Sequence, residues 1–237
     1  MIVLHVENDN ELAKVGRGQL QDFRDQLQDL DVRRVLYDGD PADVIVGFAK
    51  SEKIDLIAMP THGYGVFRRF LIGSVTAKVL HDVSCPVLTG VHMEEQPAAK
   101  LAKFSDILCA IDLGPQSPDA LKWASQLAAD LHAQLDVVHA LPPLSPGAEL
   151  LFSGDWRTEV ANIARQDVEK LLSTSGVGAA TVHIQEGEAA KAVCSFAKEG
   201  GSDLLVIGRG PQDRMAGRLT THAYAIIRES PGPVISI

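Results

Sequence analysis

Segments from the first part of this 237-residue chain recur in the second at an almost constant offset, which leaves few folds open to it. Tyr37-Asp38-Gly39-Asp40-Pro41-Ala42 faces Gln185-Glu186-Gly187-Glu188-Ala189-Ala190 at an offset of 148. Asp55-Leu56-Ile57-Ala58-Met59 faces Asp203-Leu204-Leu205-Val206-Ile207 at the same offset, and Cys85-Pro86-Val87-Leu88 faces Gly232-Pro233-Val234-Ile235 at 147. Two homologous halves are therefore expected, residues 1–93 and 104–237. The polar stretch Glu94–Lys103 (EEQPAAKLAK), with one proline and no strand period, reads as the linker.

Within each half, short β-branched runs alternate with longer amphipathic stretches, the pattern of a parallel sheet wrapped by helices. In the second half the pattern predicts strands near 106–111, 134–140, 180–185, 203–208 and 233–237, and helices near 117–132, 156–173, 188–200 and 219–229. Leu121, Ala124, Leu127, Ala128 and Leu131 recur at helical spacing, with Lys122, Gln126 and Asp130 on the other side. Ser117-Pro118 reads as a cap followed by proline at the first helical position. The Pro/Gly/Ser-rich stretch Leu141–Gly154 reads as a loop on the side where strands end.

The halves differ at their starts. Leu4-His5-Val6 matches Val138-His139-Ala140 at an offset of 134, and nothing in the first half matches residues 106–134. One strand and one helix of the repeat are thus absent from the first half. Strand 2–6 must then pair with strand 55–59 or leave a gap beside it, making the first half the less stable one.

The most specific segment is Met59-Pro60-Thr61-His62-Gly63, followed after nine residues by Gly73-Ser74-Val75-Thr76 and then by Cys85-Pro86-Val87. Gly63 permits a tight turn after a strand, and Ser74 reads as the N-cap of a helix bearing Val75, Val79, Leu80 and Val83. A glycine beside a helix start gathers free N–H groups and a positive dipole end, which suits phosphate. Arg68 and Arg69 could add charge nearby. The plainer alternatives are that Ser74 only caps, Gly63 only turns the chain, the arginines form a solvated face, and His62 is a hydrogen-bonded loop residue.

This segment resembles the universal stress protein family, whose ATP-binding members carry Gly, two residues, Gly, nine residues, then Gly-Ser or Gly-Thr. Pro60 stands where the first glycine would be. The resemblance covers nearly the whole chain and implies two adenine-nucleotide alpha-hydrolase-like, Rossmann-like, doubly wound α/β domains in tandem. It implies ATP, with magnesium, as ligand, and Thr61, His62, Gly63, Gly73, Ser74 and Val75 as binding residues in the first half. In the second half the counterparts are Gly208, Gly210, Thr220 and Thr221, with threonine in place of the Gly-Ser pair. Asp112, at the end of the strand 106–111, takes the place where the family's acidic residue meets the adenosine moiety; otherwise it is a turn and capping aspartate. Gly208-Arg209-Gly210-Pro211-Gln212-Asp213 also imitates a dinucleotide fingerprint, but its third glycine is aspartate and Pro211 lacks an N–H.

On this reading neither half holds a complete family site, and the first half lacks the central strand at whose switch point ligand sits. The family pairs domains through their last strands, here Pro86–Thr89 and Pro233–Ile237, which should run antiparallel within the chain. A homodimer is a further expectation. No Gly-Lys-Ser/Thr loop, metal-spaced cluster or nucleophile paired with a base is evident, so a regulator binding an adenine nucleotide weakly is favoured over an enzyme. Its rival is a nucleotide-free interaction module of the same fold, and slow ATP hydrolysis stands third.

Composition trims the remaining classes. A net charge of −9 opposes nucleic acid and anionic membranes. No apolar run approaches the roughly 18 residues of a membrane helix, and residues 1–7 do not read as a signal peptide, so a cytoplasmic location is expected. Cys85, Cys109 and Cys194, odd in number and far apart, read as buried hydrophobes.

Overall fold

The computed structural model describes residues 1–7, 31–61, 72–90, 104–143, 156–210 and 220–237. The first half supplies β1 (Ile2–Glu7), β2 (Arg33–Asp38), α1 (Pro41–Ser51), β3 (Ile57–Pro60), α2 (Ser74–Asp82) and β4 (Val87–Gly90). The second half supplies β5 (Asp106–Ile111), α3 (Ser117–Leu131), β6 (Gln134–Leu141), α4 (Trp156–Ser175) and β7 (Thr181–Glu186). It ends with α5 (Ala189–Gly200), β8 (Leu204–Ile207), α6 (Thr221–Glu229) and β9 (Val234–Ser236). The expected linker lies outside the described residues, as does most of the loop after β6.

The repeat is visible in local chemistry. Gly39 and Gly187 hold φ of 140° and 142°, which glycine adopts at little cost. The residue after each caps the next helix: Asp40 accepts from the amides of Ala42 and Asp43, and Glu188 from those of Ala190 and Lys191. α3 buries Leu121, Ala124 and Ala128 of the expected stripe and also Ala120, but Leu127 is half-buried and Leu131 is 39% exposed in the last turn, just before His132 ends the helix in the left-handed region.

Seven strands form one sheet in the order β3-β4-β9-β8-β5-β6-β7. Neighbours run parallel except β4 and β9, where the halves meet antiparallel with Val87 opposite Ser236 and Thr89 opposite Val234. The Thr89 hydroxyl donates to Val234 O at 3.3 Å and the Ser236 hydroxyl to Val87 O at 3.4 Å, both buried. One apolar cluster runs across the seam, joining Leu80, Val83 and Val87 to Ile226, Ile227 and Val234. A second, on the opposite face, contains Ile107, Leu121, Val137, Val168 and Leu204.

β5 is central, parallel to β6 on one side and to β8 on the other. In the first half the repeat places β1 opposite β6 and β3 opposite β8, and no described strand lies between them. Rather than pairing with β3, β1 pairs in parallel with β2 in a separate two-stranded sheet. Its position follows from α1, which packs on β1, β2 and α2 and buries Ala42, Phe48 and Ala49. β2 stays largely uncovered, with Leu36 52% and Tyr37 47% exposed.

Candidate functional site

Where β5 ends, Asp112 folds the chain back on itself. Its Oδ1 accepts from the Gly114 amide at 2.8 Å and from the Ser117 hydroxyl at 3.1 Å. A side chain at position 114 would place its Cβ 2.8 Å from the same oxygen, which explains the glycine. Ser117 is therefore not the cap expected from the sequence: Gln116 precedes the helix, and the buried Ser117 hydroxyl is spent on Asp112. Gln116 reaches across to the loop after β8, where its Oε1 accepts from the Gly210 amide at 3.0 Å.

These groups border a cleft of about 850 Å³ over the C-terminal ends of β5, β6 and β8. The chain leaves β5 toward β6 on one side and returns as β8 on the other, so the cleft lies at the topological switch point, the usual ligand site of an open α/β sheet. Asp112, Gly208, Gly210, Thr220 and Thr221 all line it. Thr220 caps α6, accepting from the Ala223 amide at 3.2 Å, and its own amide donates to Arg209 O at 3.0 Å.

Sequence reasoning missed Gln116, His139, Glu188 and His222 as lining residues. The ring Nδ1 of His139 lies 2.9 Å from Ile111 O; because a carbonyl only accepts, Nδ1 carries the hydrogen. Glu188 was legible as a helix start, and its position at a strand's C-terminal end was the signal that it could also face a ligand.

The described first-half candidates, Thr61, Gly73, Ser74 and Val75, do not line this cleft. The Gly73 amide donates to Thr61 O at 2.8 Å, repeating the Thr220–Arg209 bond. Gly73, not Ser74, occupies the N-cap of α2, with no side-chain capping bond, and Ser74 begins the helix. Thr61 is buried, its hydroxyl donating to Gly90 O at 3.3 Å, and Val75 packs against the core. His62, Gly63, Arg68 and Arg69 lie outside the described residues.

A profile of the universal stress protein family matches residues 4–89 and 103–237. The chain belongs to that family. It is 28% identical over 138 residues to universal stress protein A homolog 1 of Coxiella burnetii, covering 56% of this chain and 96% of that protein. A universal stress protein of Methanocaldococcus jannaschii is 45% identical over 79 residues, 32% of this chain and 46% of that one. The fold matches crystal structures of a putative universal stress protein from Pseudomonas aeruginosa (TM-score 0.68, 19% identity, 100% of this chain and 81% of that chain) and of a universal stress protein from Archaeoglobus fulgidus (TM-score 0.69, 22% identity, 99% and 84%).

In this universal stress protein the cleft offers acceptors and negative charge. Asp112 offers Oδ2, which has no partner among the described residues, to a hydroxyl donor. Asp112 and Glu188 bring negative charge, and no lysine or arginine stands among the described lining residues. Arg209, in the middle of the Gly208–Gly210 loop, is fully buried and turned into the first half. Among the described residues no group of three His, Cys, Asp or Glu could hold a metal. No described helix is long and apolar enough to cross a membrane.

Cys109 and Cys194 are buried, as expected, but Cys85 is partly exposed. Burial pushes the thiols of Cys109 and Cys194 up to about 12.

Proposed function

We propose that this universal stress protein is a non-catalytic, cytoplasmic stress-response regulator that binds an adenine nucleotide weakly in the cleft of its second half. The observation that carries this reading is the convergence of Asp112 and the Gly208–Gly210 loop at the switch point. A regulatory rather than catalytic role is supported by how the polar side chains are used. Asp112, Gln116, Glu188 and Thr220 all accept from nearby backbone amides.

A nucleotide-free interaction module is the second reading, favoured by the prior engagement of the Gly210 amide. Calorimetry with Mg-ATP and with adenosine separates the two. Binding tighter than about 1 mM, or about −4 kcal/mol, supports the first reading, and no heat with either ATP or adenosine at millimolar concentration gives the case to the second.

A further inference from the structure

A phosphate seated on the Gly208–Gly210 loop would use its amides, and the chain has already given two of them acceptors: Arg209 N–H donates to Ile237 O at 3.0 Å, and Gly210 N–H donates to the Gln116 side chain. Gly210 holds φ of 114°, so backbone geometry rather than a side chain aims its N–H. Gln116 Oε1 meets that N–H at 3.0 Å although 94 residues separate the two in sequence. The loop lies close by: a Cβ built on Gly208 would come 4.0 Å from the Cβ of Gln116. The carboxylates of Asp112 and Glu188 line the same cleft, and a phosphate would meet them as like charges.

We propose that Gln116 sets ligand selectivity at this cleft. Its side-chain oxygen acts on Gly210 as a phosphate oxygen would, so an uncharged purine nucleoside is admitted directly while a phosphorylated one must first displace the glutamine. The proposal rests on the binding reading above and makes its ligand class narrower. A neutral amide oxygen is a modest acceptor and can be pulled away; a carboxylate in its place would hold the N–H more strongly and repel phosphate. A nucleoside, by contrast, supplies ribose hydroxyls as donors, which the unpartnered Oδ2 of Asp112 can accept. Losing one such neutral hydrogen bond corresponds to about two- to tenfold in affinity.

The test is calorimetry of adenosine and Mg-ATP against the full chain and its Gln116→Ala and Gln116→Glu variants. The wild type should bind adenosine at least as tightly as ATP. Gln116→Ala should tighten ATP by about two- to tenfold and leave adenosine unchanged, whereas Gln116→Glu should weaken ATP alone. If Gln116→Ala does not fold, Gln116→Glu, which keeps the acceptor, still decides. A wild-type preference for ATP, equal ATP affinity in every variant, or parallel changes in adenosine and ATP would each overturn the proposal while leaving nucleotide binding intact. No heat with either ligand in any variant would remove the binding reading itself, and this proposal with it.

Discussion

The guanidinium of Arg209, just past β8 in the second half, donates to the carbonyl oxygen of Leu80 in α2 of the first half at 2.8 Å. The same Nη1 reaches Val83 O at 3.3 Å, and Nη2 reaches Cys85 O at 2.7 Å. A buried positive charge is thus held by carbonyls at and just beyond the C-terminus of α2, where the helix dipole is negative. At the equivalent point of the first half stands the small Thr61, so the device works in one direction only. Arg209→Ala would strip a donor from three carbonyls and open a cavity, each buried carbonyl left unsatisfied costing about 1 to 3 kcal/mol. Urea unfolding should show the loss, with one cooperative transition breaking into two; an unchanged midpoint would refute the claim.

Amide exchange should divide the sheets. β1 has a described partner only in β2, and two-stranded sheets are marginal on their own. β5 lies between two strands and is buried along nearly its whole length. Residues 2–7 and 33–38 are therefore expected to exchange well before 106–111 and 134–141. Equal protection would mean that the edges of β1 and β3 that have no partner among the described residues are covered in solution.

The buried Cys109 thiol makes stability fall at alkaline pH. Its pKa rises from 9.0 to about 12 because burial disfavours the thiolate. A raised folded-state value means that its contribution is complete below about pH 9 and is lost as pH climbs toward 12. At most about 1.4 kcal/mol is lost per pH unit. Urea midpoints at pH 8, 9.5 and 10.5 should fall more steeply for wild type than for Cys109→Ala, and identical slopes would exclude the mechanism.

Much of this was legible in the sequence, because the repeat and the apolar periodicities act locally. All nine elements read in the second half appear within two residues of their predicted ends. What escaped depends on contacts between distant segments. Gln116 looks like an ordinary loop residue until β5 and β8 bring it beside Gly210, and Arg209 looks like part of a phosphate loop until its side chain is seen in the other half. The caps misread at Ser74 and Ser117 have a local cause: serine is favoured before a helix, but here its neighbour takes that position. At Ser117, Asp112 also offers the hydroxyl a better acceptor.

On the proposed reading, the conformations of Gly73 and Gly210 tell which half holds ligand. Gly73 was the sequence's choice as the phosphate residue, yet its φ of −59° and ψ of 150° suit any side chain. Gly210 lines the cleft at a φ of 114° that a β-branched residue adopts only under strain. Gly210→Val should therefore twist the loop that walls the cleft and weaken adenine-ligand binding. Gly73→Val should bind as wild type does and lose less than about 1 kcal/mol of stability. Calorimetry on the two variants, with circular dichroism to confirm that both fold, makes the comparison. The reverse result, binding lost only in Gly73→Val, would move the site to the first half.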